Sequence, residues 1–408
     1  MQAADSAIPR VVAAEAVSNF GSMLSRLAIP WLATLVLQAT PAQMALLLVA
    51  DVGAAALGAL LLGAWVDRRG KRAVMLLADG GRAVVLGLLA VAAWQGWATF
   101  GGLLLAAAAS GVLTVVFELA RSAWIAQRVV ADELPRRNAQ LAMAGSLSET
   151  AAFALGGWLY QGLGAAWSLG VDALSYLGSA LCLRGVPEAP GSPRPATAGV
   201  SAWRQWRDET ADGLRAIAAR PALRALAGIE GLLAFGGALS GTAYMIFVSR
   251  DVGLPTGQLG MIFAMGGLGA VLGAAWAPRL GRWLGPGRAM TLGLAVHALG
   301  LLCVPITPGF GVLAIALLLT QQIVGDAGRT LHDVHDRSLR QTAVPPALLA
   351  RADAGLRGVG QAATLAGAAT AALVGTALDA RAVLWLAVVF AAMAALWAAW
   401  KLAERRLG

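Results

Sequence analysis

Hydrophobic residues along this chain come in long runs that short polar breaks separate. Twelve runs are each long enough, at about 20 residues, to cross the ~30 Å apolar core of a bilayer as a helix. They lack the strict alternation of apolar and polar positions that marks the strands of a membrane barrel, so they favour helices. The twelve predicted spans are residues 11–37, 43–66, 73–95, 98–120, 138–163, 165–186, 222–249, 257–280, 288–307, 309–330, 348–377 and 380–402.

Composition agrees with a chain that lies mostly in lipid. Hydrophobic residues make up 58% of the sequence, charged residues 13%, and the mean hydropathy is +0.70. A soluble domain carries about 25% charged residues, so this chain could not cover a water-facing surface. The net charge of +9 does not indicate nucleic-acid binding, because the arginines occupy the short breaks between apolar runs, where topology signals lie.

Lysine and arginine mark the predicted cytoplasmic side. With the N-terminus inside, all but four of the 31 basic residues fall in the inner connections or at the helix ends beside them. Arg250 and Arg381 are in outer connections, and Arg26 and Arg82 are within spans. The positive-inside rule therefore predicts a multi-pass protein of the cytoplasmic (inner) membrane with both termini in the cytoplasm.

The longest connection divides the chain into two sets of six spans. It begins with the Pro/Gly/Ser-rich stretch "PEAPGSPRPATAG" and continues as "WRQWRDETADGLRAIAARP", in which apolar positions recur at roughly helical spacing. The second stretch fits either a helix lying on the inner leaflet or a solvated linker helix. The predicted domains are an N-terminal half at 1–186, a cytoplasmic linker at 187–221 and a C-terminal half at 222–408.

The two halves resemble each other at equivalent places. Residues 64–70, which close the second span, align with residues 275–281, which close the eighth. Arginine and glycine match in the two copies, but Pro278 stands where the first copy has Asp67. Parallel repeats of six spans are typical of secondary transporters.

The stretch "GAWVDRRGKR" at 63–72 resembles the loop signature of the major facilitator superfamily, Gly-x-x-x-Asp-Arg-x-Gly-(Arg/Lys)-(Arg/Lys). Four other stretches resemble the enterobactin exporters and macrolide-efflux proteins within it: "LAIPWLATLVL", "LPRRNAQLAMAGSLSE", "RDVGLPTGQLGMIFAMGGLGAVLGA" and "DRSLRQTAVPPALLARADAGLR". The resemblance covers essentially the whole chain and implies an all-α fold of twelve transmembrane helices in two pseudo-symmetric halves. Span five of the family often carries the run Gly-Pro-x-x-Gly-Gly, which is associated with antiport. This chain has only the final glycine pair of that run, Gly156 and Gly157.

The resemblance also implies a cytoplasmic gate in the loop that follows span two. In the family this loop helps to lock the cytoplasmic side while the transporter faces outward. Asp67 would accept hydrogen bonds from the start of span eleven near Leu348. Gly70 would permit a tight turn, while Arg68 and Lys71 would contact lipid phosphates. Topology alone can explain the basic residues but not the acid.

Acid-x-x-Arg pairs lie near the same face. Asp79 and Arg82 in span three, and Glu118 and Arg121 in span four, place opposite charges on one side of a helix. Arg121 is also a candidate partner for Asp67. Glu118 and Arg121 are therefore counted with the predicted gate.

Ionisable residues inside the spans are candidates for proton coupling or for lining a cavity, because such groups are costly in lipid and mostly line a pathway. Glu149 falls near the membrane midplane in span five, where desolvation favours the protonated form of a carboxyl group. Arg26 would supply the opposing charge, unless the two form a structural ion pair. Asp51 and Glu230 are further candidates, and Asp172 lies near the outer start of span six.

Other chemistry is not indicated. The chain has no nucleotide-binding loop of the G-x-x-x-x-G-K-(S/T) type, so it is not expected to hydrolyse ATP. In "HDVHD" (332–336) the two histidines have a spacing that could hold a metal, but the place at the inner end of span ten favours solvated helix-end residues. We expect no cofactor, no metal and no enzymatic activity.

The sequence thus predicts a secondary active transporter, acting as a monomer, that uses protons to export a small amphipathic metabolite or drug by alternating access. An importer of the same fold and a membrane sensor that does not transport remain alternatives at this point. The predicted partners are a small-molecule substrate, protons and the lipid bilayer.

Overall fold

The computed structural model describes residues 2–129, 133–189, 211, 215, 217–343, 346–375 and 377–402. Within these ranges the regular structure is helical, with three short π-helical segments at Leu32–Val36, Phe247–Asp251 and Gln321–Gly325. Most of the linker, including most of the stretch predicted as an interfacial helix, lies outside the described residues. The α-helices are α1 (Gln2–Trp31), α2 (Pro41–Arg68), α3 (Lys71–Trp94), α4 (Phe100–Arg128), α5 (Leu134–Leu183), α6 (Pro221–Ile246), α7 (Thr256–Leu284), α8 (Pro286–Leu302), α9 (Val312–Thr320), α10 (Asp326–Ala343), α11 (Pro346–Val374) and α12 (Ala380–Leu402).

These helices supply the twelve predicted spans, so the all-α fold class is confirmed. Helix α5 covers spans five and six, which meet at a kink where Gly164 has φ 78° and ψ −176°. That conformation is open essentially to glycine alone, which is why the chain can reverse there. Span ten consists of α9, the π-helical segment that follows it, and α10, and it extends well beyond the predicted end at residue 330 to Ala343.

Hydropathy by itself identifies only part of this architecture. Seven helical stretches in the described residues are long and apolar enough to cross a membrane, and one of them, Met143–Leu183, includes both spans of α5. The other spans are less uniform. Helix α8 has 17 residues, and α1 carries Glu15 and Arg26. Their place in the bundle follows from packing against neighbours rather than from hydropathy.

The internal repeat is visible in the secondary structure. In each half the first span ends in a π-helical turn, Leu32–Val36 after α1 and Phe247–Asp251 after α6. The next helix begins a few residues later, at Pro41 and at Thr256 respectively. Because π-helical turns are rare in proteins, their recurrence at equivalent places supports the repeat more strongly than the short sequence matches do.

The chain divides into two compact units. Unit 1 comprises Met1–Ala39, Leu47–Arg204 and Pro255–Ala264, and unit 2 comprises Thr40–Leu46, Gln205–Leu254 and Met265–Gly408. Each unit has its own buried core. In unit 1 the core includes Met75, Phe117 and Trp124, and in unit 2 it includes Leu223 and Met290. The predicted domain limits at 186 and 222 fall inside Leu47–Arg204 and Gln205–Leu254 respectively, so they stay a prediction.

Candidate functional site

The predicted gate loop between α2 and α3 is held in place by Lys71. This side chain is only 1% exposed. Its ammonium group donates to the backbone carbonyls of Val66 (2.7 Å), Asp67 (2.8 Å) and Arg69 (3.2 Å). Lys71 therefore satisfies carbonyls that the end of α2 leaves open and places a positive charge at the negative end of the helix dipole. The expectation that Lys71 contacts lipid phosphates is wrong.

Glu188 caps the helix that follows the loop. Its two carboxylate oxygens accept hydrogen bonds from the backbone N–H groups of Arg72 (2.9 Å) and Ala73 (3.3 Å) at the start of α3. A carboxylate at this position also interacts favourably with the helix dipole. Sequence reasoning missed Glu188 because it lies 116 residues from Arg72 in the chain and no local pattern joins the two.

Gly70 has a role different from the predicted one. Its backbone is extended, with φ −60° and ψ 127°, which any residue can adopt, so a tight turn does not require glycine here. A Cβ atom at this position would instead lie 2.8 Å from the carboxyl carbon of Glu188. A side chain at position 70 would therefore displace the capping carboxylate of Glu188 from its present position.

The segment before Glu188 is fixed by three further side chains. Arg10 of α1 donates to the carbonyl of Gly185 (2.8 Å), and Trp124 of α4 donates to the carbonyl of Pro187 (2.9 Å). Arg128, at the end of α4, donates to the carbonyl of Glu188. Arg10 and Arg128 were interpreted from sequence only as topology signals, and in the structure they also bind backbone carbonyls.

The charge of Asp67 acts on the neighbouring ammonium group of Lys71. Its carboxylate is half-buried and forms no hydrogen bond or ion pair with any residue that the structure describes. Its predicted partner Arg121 is paired instead with Glu15 of α1. Glu118 is exposed and does not pair with Arg121, and Arg68 is exposed as well. The pairings of Arg121 suggested by sequence are therefore corrected, and the gating role of Asp67 stays a prediction.

The predicted coupling residues of the N-terminal half do not form the expected pair. Glu149 and Arg26 are both exposed side chains. Arg26 interacts electrostatically with Asp51 of α2, which is half-buried. Arg26, which sequence reasoning assigned to Glu149 as its opposing charge, thus acts on Asp51 instead, because α1 directs Arg26 towards α2.

Glu230 belongs to a cluster in the C-terminal half. Arg340 of α10 is bonded to Asp336 on the same helix (2.5 Å) and lies 3.9 Å from Glu230 of α6 and 3.7 Å from Asp353 of α11. One guanidinium group therefore faces three carboxylates. Sequence reasoning singled out Glu230 alone, since its partners are spread over two distant helices.

The histidine-containing segment is buried rather than solvated. His332, His335 and Asp336 are each less than 9% exposed, and His335 Nε2 lies 3.0 Å from the carbonyl oxygen of Ala277. The expectation of solvated helix-end residues is therefore wrong for these three, because α10 continues past the predicted end of span ten and buries them, whereas the Asp333 side chain is 41% exposed. Among the residues that the structure describes, no group of three or more potential metal ligands occurs.

The fold, its internal repeat and the charged loop after the second span define a multi-pass membrane transporter for a small molecule. The sequence profile of the Major Facilitator Superfamily matches residues 11–328. The chain belongs to this superfamily.

Solved structures share the fold at low sequence identity. The chain is similar to the nucleoside transporter NupG (TM-score 0.76, 13% identity, covering 98% of this chain and 100% of that one). It is also similar to a bacterial homologue of the iron transporter ferroportin in the inward-facing state (TM-score 0.75, 16% identity, covering 98% of this chain and 99% of that one). An auto-inhibited peptide transporter of the POT family is a third example (TM-score 0.73, 16% identity, covering 98% of each chain). No curated protein sequence matches this chain.

The caps on either side of the gate loop lead to a prediction. Lys71→Met removes the ammonium group, so the carbonyls of Asp67 and Arg69 lose this donor and that of Val66 keeps only the N–H of Arg69. Hydrogen bonds to charged groups each contribute about 1.5–3 kcal/mol, so the thermal unfolding midpoint of the detergent-solubilised protein should fall clearly. The matched change Arg68→Met, at an exposed position in the same loop, should leave the midpoint near that of the wild type. Equal midpoints for the two variants would show that Lys71 is only a topology signal.

Proposed function

We propose that this transporter exports a small amphipathic metabolite or drug from the cytoplasm and is driven by proton entry. Movement of the two halves would expose the binding site alternately to either side of the membrane, as in other transporters built from repeats of six spans. Support comes from the resemblance of four stretches to enterobactin exporters and macrolide-efflux proteins, and from ionisable groups inside the spans. The solved structures of similar fold are named for nucleosides, iron and peptides, so fold alone does not select a substrate.

The observation that carries the proposal is the state of Asp67. Its neighbour Lys71 is buried and bound to carbonyls, Glu188 caps α3, and Arg121 is paired with Glu15. Asp67 alone among these charged groups has no hydrogen bond or ion pair to its side chain in the described residues. A carboxylate that acts on Lys71 through its charge but has no direct bond to a described residue is suited to a contact that forms in one state of the transport cycle and breaks in the other. A membrane sensor that does not transport has no need of such a group.

We further propose that the protein lies in the cytoplasmic membrane as a monomer with both termini in the cytoplasm. The segregation of Lys and Arg residues along the sequence supports this orientation. Arg68 and Arg69, both exposed at the end of α2, are suited to contact the phosphate groups of the inner leaflet.

Direction and energy source are tested together in cells. A strain lacking the gene and the same strain expressing the protein would be loaded with a panel of amphipathic compounds, including ethidium and a macrolide, with and without a protonophore. Expression should lower the accumulation of at least one compound, and the protonophore should abolish that difference. Higher accumulation on expression would identify an importer. No difference for any compound would contradict transport of this class.

Asp67→Asn tests the gate. The substitution keeps the size of the side chain and removes its charge, so membrane insertion should be unchanged while most transport is lost. The measurement is uptake, into everted vesicles, of a compound that the wild type exports. Arg69→Gln, two residues away, exposed and at the unspecified position of the loop signature, is the matched control and should retain most uptake. Wild-type uptake by the Asp67→Asn vesicles would remove the gate assignment.

A further inference from the structure

A fully buried carboxyl group in the N-terminal half has no ion pair. Asp172 lies in the part of α5 that follows the kink and is 0% exposed. The Ser175 hydroxyl group donates to the backbone carbonyl of Asp172 (2.8 Å) and lies 3.2 Å from its Oδ1 atom. The Ser25 hydroxyl group of α1 also acts on this carboxyl group, while no partner in direct hydrogen-bonding geometry reaches Oδ2. At 1.5 Å per residue it lies about 12 Å from Gly164 and about 17 Å from the helix end at Leu183. The group therefore lies several turns from either end of this helix, nearer the end at the kink, which agrees with its predicted place in the outer part of span six.

The positive charge that acts on Asp172 is that of Arg82, which already forms an ion pair with another carboxylate. Arg82 of α3 is 2% exposed, and its Nη2 atom is 2.5 Å from Asp79 Oδ1. The other oxygen of Asp79 accepts a hydrogen bond from Ser179 (2.7 Å). Two aspartates thus share a site with one arginine, and Asp79 holds the direct contact.

Aromatic rings fix the arginine in that position. The Arg82 guanidinium carbon lies 4.8 Å from the centre of the Phe117 ring and 4.2 Å from that of the Tyr176 ring. Its Nε atom has no hydrogen-bond partner. Cation–π contacts of this kind are strongest where water is excluded. Arg82 can therefore act on Asp172 through its charge while its hydrogen bonds go to Asp79.

The other ionisable groups on the surrounding helices interact with partners other than Asp172 or are exposed. Glu15 of α1, whose charge also reaches Asp79, pairs with Arg121 of α4. Arg26 of α1 acts on Asp51 of α2, and Glu118 of α4 is exposed.

On its own helix Asp172 is followed by Tyr176, whose hydroxyl group is bonded to Ser22 (2.9 Å). Helix α1 packs directly onto Asp172 at Gly21, where a Cβ atom would overlap the carboxylate and Ser175. Among the described residues of this half, Asp172 therefore has no positive charge in contact, and Arg82 acts on it only through its charge.

We propose that Asp172 is a proton-binding group of the transport cycle, with the Asp79–Arg82 pair as its fixed electrostatic surroundings. The proposal rests on proton-driven transport as proposed above, and it names a carboxyl group other than Glu149. An ionised carboxylate without a partner is very costly at such a site, and a proton is a ligand that removes this cost without needing a cavity. With a proton on Asp172 the three groups are electrically neutral; without it they carry one net negative charge.

A purely structural role would not require an acid. Asparagine has the same shape and could donate two N–H groups to its neighbours, whereas the ionisable carboxyl group brings the additional cost of its charged form. Asp172→Asn is therefore both an imitation of the protonated state and a test of the role of the acid.

The test uses the full-length protein reconstituted in vesicles of phosphatidylethanolamine and phosphatidylglycerol. Infrared spectra at neutral pH, where surface carboxyl groups are already ionised, should show the carbonyl stretch of a protonated carboxyl group in the wild type. Asp172→Asn should lose this band, and Asp172→Glu should retain it at a shifted frequency. Glu149→Gln should leave it unchanged. Persistence of the band in Asp172→Asn, or its loss in Glu149→Gln, would overturn the proposal.

A cellular measurement separates this proposal from the proposed function. For a compound that the wild type exports, Asp172→Asn should make residual export insensitive to the protonophore, while Asp172→Glu restores part of that sensitivity. Full protonophore sensitivity in Asp172→Asn would remove Asp172 from coupling and leave proton-driven export intact. If export by the wild type is itself insensitive to the protonophore, the proposed function fails independently of the infrared result.

Discussion

Every charge that enters the apolar interior of this protein has to be neutralised there, because water cannot do so. Arg82 shows how strictly this holds: it is paired with Asp79, lies against two aromatic rings, and is almost fully buried. The partners of Arg82 come from three helices, so the pair also fixes how α3, α4 and the second part of α5 pack together. Asp172, by contrast, is a fully buried carboxyl group that no cation contacts among the described residues of the N-terminal half.

The same constraint organises the cytoplasmic ends of the helices. Lys71 binds the carbonyls at the end of α2, and Glu188 caps the start of α3. Gly70 leaves space for the carboxylate of Glu188. In the C-terminal half Arg340 is placed among three carboxylates from α6, α10 and α11. A loop fixed in this manner holds the carboxylate of Asp67 beside Lys71 in a defined position, which supports its proposed role in a gate.

Much of the architecture could be predicted from sequence because it depends on properties that are local to the chain. Run length gives the spans, the repeated stretches at 64–70 and 275–281 indicate two related halves, and the i, i+3 spacing correctly pairs Asp79 with Arg82. The contacts of the site depend on long-range packing instead. Glu188 approaches Gly70, Glu15 meets Arg121, and Arg26 acts on Asp51 only because particular helices lie side by side. For the same reason, the second acid-x-x-Arg pair, Glu118 and Arg121, does not form although its spacing is identical.

The central claim is that buried charge is neutralised by specific partners inside the N-terminal half, and a double-mutant cycle on Asp79 and Arg82 tests it most directly. Breaking a buried ion pair by removing one partner costs about 3–5 kcal/mol, because the other charge is left uncompensated, whereas removing both costs much less. Thermal unfolding of detergent-solubilised Asp79→Asn, Arg82→Gln and the double variant should therefore show the double variant to be more stable than Arg82→Gln. Midpoint losses that simply add in the double variant would contradict the account.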